Sequence, residues 1–227
     1  MEKDIVKMLN DKVRKFRKWA EKNYPDKTED NDNGQWCFCS EFDEMYSAAV
    51  DVIEKCPASE ADESVTDDLL YAIARDNECE CIIQIAEKHN EWFSLLCRKC
   101  LDSPYTNAKW QFAKELGKYD GDDDLKQLIY RFLSTGDEYT ERMALQSLAD
   151  IDPKQAEKYA VRSWERNIYK HDEYQKIMAL HVLYRIKSPL LEKYIREADI
   201  SDYHYLRENA AQIREMLAED NVDIPSQ

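Results

Sequence analysis

The sequence predicts an all-α protein, a solenoid of about twelve helices, on three observations. Glycine is scarce, with four residues in 227, while helix-favouring Ala, Leu, Glu and Lys abound. Apolar residues recur at spacings of three and four in segment after segment, one helix face each time, and no stretch reads as a strand. Residues 138–159, EYTERMALQSLADIDPKQAEKY, return 35 positions later as 173–194, EYQKIMALHVLYRIKSPLLEKY, with ten of 22 aligned positions identical. A lone helix pair cannot bury its apolar stripe, but stacked pairs bury one continuous core, so each copy is the wall against which the next packs.

The elements follow in order. Over 2–23, Ile5, Leu9, Val13, Phe16 and Ala20 form a stripe bordered by Lys12, Arg14, Lys15, Arg17 and Lys18. A basic amphipathic helix suits a membrane surface or a calmodulin-like partner. Trp19 and Tyr24 favour instead a cap on one end of the array, its basic face toward the acidic middle of the chain. Residues 25–39, PDKTEDNDNGQWCFC, are a polar acidic loop. A helix over 40–56 opens on Ser40 and Asp43, a variant capping box. After the break PASEADES at 57–64, helices span 65–75, 78–88 and 90–102, with Asn77 and Glu80 as a second box. Ser103-Pro104, Asp152-Pro153 and Ser188-Pro189 each read as a cap followed by proline in the first turn, where its missing N–H is no loss. They begin helices at 104–118, 153–168 and 189–198. Helices over 123–135, 138–151, 172–187 and 202–219 complete the set, and Gly117 and Gly136 suit helix C-termini. The whole, 1–227, is one domain: capping helices and acidic loop to residue 60, divergent repeats over 65–103, clear repeats over 104–219.

Within the repeat, Tyr139, Met143, Ala144, Leu145, Leu148 and Ile151 recur as Tyr174, Met178, Ala179, Leu180, Leu183 and Ile186. The stretch MALQSLADIDP resembles the short HEAT-like repeat, A-A-x-A-L-G-x-L-G-D-P, through Ala144, Leu145, Leu148, Asp152 and Pro153, with Gln146 and Ala149 in place of its glycines. The resemblance covers 104–217. It implies a right-handed α-α superhelix whose MALQSLADI-type helices line a concave side, and a scaffold rather than any one activity. Some HEAT-like proteins of this size are DNA glycosylases, which need a basic groove for phosphates.

Charge argues against that enzyme. The chain carries −15 overall. Residues 1–24 hold +4, residues 25–124 hold −16 and residues 125–227 hold −3. Such a field repels nucleic acid and attracts basic partners. No apolar run is long enough for a membrane span or a signal, and seven cysteines, an odd number, read as reduced thiols of a cytoplasmic protein.

Chemical motifs are sparse. No Gly-rich phosphate loop occurs. Of the cysteines, Cys37 and Cys39 are the pair best placed to clasp zinc, before a helix. Cys79 and Cys81 fall within one helical turn and point apart, and Cys97 and Cys100 share a core face with Trp92 or Phe93. His89, His171, His181 and His204 form no metal or catalytic spacing. The run Asp120, Gly121, Asp122, Asp123, Asp124 lacks the order and terminal Glu of a calcium loop, and suits a helix N-terminus.

The expectation is therefore a non-enzymatic, cofactor-free scaffold that binds a basic protein or domain. Its contacts are expected at Tyr139, Arg142, Gln146, Tyr174, His181 and Arg207 on the repeated inner helices, with Asp120, Asp122 and Asp123 at a rim. Tyr and Arg are chosen because they anchor interfaces most often. A narrower form is an immunity-type inhibitor that shields a basic toxin domain. Nucleic acid and membrane are not expected partners, and the oligomeric state stays open.

Overall fold

A computed structural model describes residues 3–25, 39–121, 123–168 and 172–222, and all regular structure among them is helical. The helices are α1 (Lys3–Asn23), α2 (Ser40–Lys55), α3 (Glu63–Arg75), α4 (Cys81–Glu87), α5 (Asn90–Cys100), α6 (Thr106–Glu115), α7 (Asp123–Lys126), α8 (Ile129–Phe132), α9 (Glu138–Ile151), α10 (Pro153–Glu165), α11 (Asp172–Arg185), α12 (Leu191–Asp199) and α13 (His204–Val222). A short 3-10 turn, Ala58–Glu60, follows α2.

Two rows emerge from the packing. In the first row, α1 lies on α3, α3 on α6, α6 on α9, α9 on α11 and α11 on α13. The repeated segments thus lie side by side, compatible with a helical repeat. A second row flanks it. There Tyr159 of α10 meets Tyr130 of α8 at 6.0 Å, and Tyr194 of α12, the copy of Tyr159, meets Trp164 of α10 at 5.1 Å. One core runs along the stack, from Leu9, Phe16 and Phe42 through Phe93 and Phe112 to Leu145, Leu180 and Ile213.

At three successive junctions of the first row, a buried polar side chain also ties a helix to its predecessor. Gln111 Nε2 of α6 donates to Ile73 O of α3 at 2.8 Å, Ser147 Oγ of α9 to Lys114 O of α6 at 2.8 Å, and Gln175 Nε2 of α11 to Glu138 O of α9 at 2.9 Å. Buried polar groups must find partners, so these bonds fix the depth and axial offset at which neighbours settle. The α6–α9 seam is the tightest: a Cβ on Gly117 would fall 2.9 Å from the Ser147 side chain.

The α1 stripe is consumed by packing. Leu9, Val13, Phe16 and Ala20 are buried, and Trp19 stacks on Phe16 at 5.6 Å. Its basic face meets acids: Lys12 and Lys15 both reach Glu44 at 2.9 Å, and Arg17 donates to Tyr105 Oη at 2.8 Å beside Asp67. The hydrogen bond from Lys15, then that from Lys12, holds the Glu44 carboxyl below its ordinary value.

Several boundaries differ from expectation. Cys39, not Ser40, caps α2, its sulfur accepting from Phe42 N at 3.4 Å. The predicted helix at 78–88 starts later, at Cys81. Asp76 Oδ2 accepts from Ile82 N at 2.7 Å, and Glu80 takes a left-handed backbone to turn the chain. The predicted 123–135 helix splits into α7 and α8, joined by bonds of i to i−3 type such as Leu128 N to Leu125 O. Asp152-Pro153 caps α10 as expected, with Asp152 Oδ1 accepting from Gln155 N. Ser103 and Ser188 instead bind the turns before their helices, at Tyr105 N and Leu190 N. The acidic loop, apart from its ends, lies outside the described residues. Among the described residues no helix is long and apolar enough to cross a membrane.

Candidate interaction surface

The second residue of α9, the third of α11 and the second of α13 are tyrosines: Tyr139, Tyr174 and Tyr205. Side chain–backbone bonds tie these helices at the residues beside the rings. The residue after Tyr174, Gln175, bonds the carbonyl of the residue before Tyr139, Glu138. The residue after Tyr205, Leu206, donates its N–H to the side chain of the residue before Tyr174, Glu173, at 3.1 Å. This shared registry sets the three rings in a row across adjacent helix ends. They are 38, 42 and 53% exposed, high for rings on the packed helices of a core.

The row is built as well as lined up. The Arg142 guanidinium sits 4.6 Å from the Tyr139 ring and 5.2 Å from the Tyr174 ring, within cation–π reach of both, and pairs with Glu138 at 3.0 Å. Burial raises the Glu138 carboxyl above its ordinary value, opposed by Arg142. Trp110 of α6 meets Tyr139 edge-on at 5.0 Å, extending the aromatic row by one helix. Further along α11, His181 Nε2 contacts Asn209 Oδ1 of α13 at 2.8 Å.

Exposed apolar side chains concentrate here. Six of the eight large ones exposed among the described residues are Tyr139, Ile168, Tyr174, Ile200, Tyr203 and Tyr205, all in or just before the N-terminal turns of α9, α11 and α13. Ile200 is 86% exposed. Single exposed apolar side chains are normal on a protein surface, but these six fall near one end of three adjacent helices.

The residues expected to bind do not form one patch. Tyr139, Arg142 and Tyr174 are together, and Gln146 and His181 lie one to two turns down the same faces, half-buried. Arg207 is spent on the chain itself, donating to Ser201 O. Asp123 borders a cleft of about 340 Å³ with Gly117, Asp150 and Ile151, at the C-terminal end of α9. At 1.5 Å per residue that is roughly 18 Å from Tyr139 along the helix. Asp120 is exposed before α7, and Asp122 lies outside the described residues. Tyr205, Tyr203, Ile200 and Ile168 were not anticipated. The signal was present in Tyr203-His204-Tyr205 at a helix start, but the last repeat is shorter, and the core alignment that matches Ala210 to Leu180 sets His204, not Tyr205, under Tyr174.

The other chemistry resolves simply. Cys56, Cys97 and Cys100 are buried, and burial pushes the Cys97 and Cys100 thiols up, away from the reactive thiolate. Cys79 lies exposed in the turn before α4, outside the helical turn expected for it, and Cys81 opens the helix. Cys37 and His171 lie outside the described residues. Among the described residues no group of three or more His, Cys, Asp or Glu is placed to hold a metal. No protein-family model, curated protein or solved structure matches the chain.

Proposed function

We propose that the chain is a protein-binding scaffold for a basic partner, anchored by the tyrosines at the N-terminal ends of α9, α11 and α13. The observation that carries the reading is the registered row Tyr139–Arg142–Tyr174, continued by Tyr205. Tyr and Arg dominate binding energy because they bring large area and directed polar groups at small entropic cost. The acidic residues 25–124 supply a field that draws a basic partner in, while the anchors hold it. Steering and anchoring are then assigned to different halves of the array. The finer readings fit this division: a right-handed HEAT-like superhelix as the scaffold, and immunity-type shielding of a basic toxin domain as the task, carried out in the cytoplasm and without a cofactor.

The test is capture from an extract of the native cell by wild-type protein and by the Tyr139→Ala/Tyr174→Ala double variant. Columns are washed at about 0.05 M and about 0.2 M salt, across which screening of exposed charges rises. The expected result is a basic protein held at low salt, released in part by the stronger wash, and reduced at least about tenfold on the double variant. Equal retention by both proteins, or retention of nucleic acid in its place, would sink the reading.

A further inference from the structure

We infer that the chain carries a second site, independent of the tyrosine row and in the opposite half of the array: the cleft between the N-terminal turns of α1 and α3 binds a free α-amino acid with an apolar side chain. The cleft measures about 360 Å³, within the range of small-molecule pockets. Its α1 wall carries Lys3, Lys7 and Asn10, four and three residues apart and so on one side of that helix, and its α3 wall carries Asp68. Val6 and Val65 give it an apolar lining.

Opposite charges line this cleft without closing on each other. Among the described residues neither Lys3 nor Lys7 forms an ion pair. Asp68 is 8% exposed, and the hydrogen bond its carboxylate takes among the described residues is a long one, from Asn10 Nδ2 at 3.3 Å. A carboxylate withdrawn from water without a cation in contact is costly. Burial accordingly raises the Asp68 carboxyl above its ordinary value, opposed by the Asn10 bond and Arg17, with Asp67 and Asp62 adding to the rise. An ammonium group bound beside Asp68 favours the charged form and offsets that cost.

The second charge lies within reach of the same small molecule. The bond to Asn10 sets the level of Asp68, and Lys7 lies about one turn nearer the start of α1. Its flexible four-carbon stem lets the ammonium follow a carboxylate held beside Asp68, and Lys3 offers another cation one turn further on. In an α-amino acid the ammonium nitrogen and the carboxylate carbon are only about 2.5 Å apart, so one molecule serves both ends.

This pairing of charges selects the ligand class. A dicarboxylate would set an acid against Asp68, and a diamine would set an ammonium against the lysines. A neutral apolar ligand would leave Asp68 desolvated and uncompensated. A zwitterion satisfies both ends, and an aliphatic side chain on the same carbon is buried against Val6 and Val65.

The probe is leucine, titrated into the full chain and followed by amide NMR. Three analogues are compared: leucinamide, which lacks the carboxylate, N-acetyl-leucine, which lacks the ammonium, and glycine, which lacks the side chain. Leucine is expected to bind with a Kd of about 1 mM or tighter, shifting the amides of Lys7, Asn10, Val65 and Asp68 and leaving those of Tyr139 and Tyr174 in place. Each analogue is expected to bind at least about tenfold more weakly. Asp68→Asn, and the double variant Lys3→Gln/Lys7→Gln, are each expected to weaken leucine at least about tenfold, with circular dichroism checking that the fold is intact. Leucine that shifts no amide of this cleft at up to about 10 mM overturns the inference. So does leucinamide or N-acetyl-leucine that binds as tightly as leucine, or a leucine affinity unchanged by both variants. The scaffold reading is tested separately, by capture through Tyr139 and Tyr174.

Discussion

The same stacking rule produces a closed face in one half of the molecule and an open one in the other. In the first half, Tyr71 of α3 is enclosed by Phe16 at 6.2 Å and Tyr105 at 5.8 Å, with Arg17 3.6 Å and Arg75 4.8 Å from its ring. Gln111, the counterpart of Gln146 one repeat earlier, is 0% exposed, and Glu115, the counterpart of Asp150, is buried as well. In the second half, Tyr139 and Tyr174 also pair with an arginine, but their rings meet solvent. Stacking asks for the apolar stripe, which both halves supply, and buried polar ties reinforce it from α3 to α11. What the remaining face carries is left free, and in the first half it is used to lock α1 onto the array.

The largest expected difference follows directly. Tyr71→Ala empties a site closed by two rings and two guanidiniums, and large-to-small aromatic changes in such sites cost about 3–5 kcal/mol. Tyr174→Ala removes a ring already 42% exposed and one cation–π contact, and is expected to cost less than about 1 kcal/mol. Urea unfolding of the two variants measures this. Comparable losses would show that the open half depends on its tyrosines for folding, and would remove the argument that they are kept for binding.

A second prediction asks how the closed half carries a buried charge. Asp76 ends α3 and accepts N–H bonds from Ile82 and Cys81 at the start of α4. Burial raises its carboxyl from 3.8 to about 6, with Glu80 adding to the rise and the two N–H groups opposing it; Tyr46 also lies within its field. The folded state therefore prefers the protonated form. The stabilisation is full below about pH 4 and is lost as pH rises through about 6, a change on the order of 2–3 kcal/mol. Asp76→Asn keeps an acceptor for the N–H groups but does not titrate. The gap in stability between wild type and variant is expected to shift against the wild type by that amount between pH 4 and pH 7. A gap that is flat with pH would place Asp76 in a more solvated setting than its packing indicates.

Most of the architecture was legible in the sequence because it rests on period and punctuation. The 35-residue copy fixed which helices lie side by side, and the stripe of Leu9, Val13 and Phe16 fixed how α1 packs. What could not be read was set by contacts distant in sequence. The ties at Gln111, Ser147 and Gln175 fall at different places along their helices, so no repeat of identity betrays them. Cys39 caps α2 because the backbone there is extended, a fact that residue type does not state. The split of α7 from α8 has no breaker residue to mark it. For the candidate surface, Tyr139 and Tyr174 stood out through the copy itself. Tyr205 did not, because the last repeat is shorter and its registry is set by Glu173, a residue in the preceding helix.

The smallest expected effect separates the halves once more. Among the described residues, two other than glycine hold a left-handed backbone, Glu80 at φ 55° and Lys187 at φ 52°. Lys187 closes α11 in a Schellman turn, with Ser188 N bonded to Leu183 O and Lys187 N to Tyr184 O, both at 2.9 Å, and its side chain is exposed. Glycine occupies that position without the Cβ penalty of about 1–2 kcal/mol, at some cost in chain entropy. Lys187→Gly is thus expected to raise stability by about 0.5–1 kcal/mol in thermal or urea unfolding. Glu80→Gly relieves the same backbone but removes the carboxylate that Lys114 of α6 grips at 2.6 Å, and is expected to gain nothing. If both substitutions stabilise equally, the Glu80–Lys114 pair contributes little, and the closed half owes its closure to apolar packing alone.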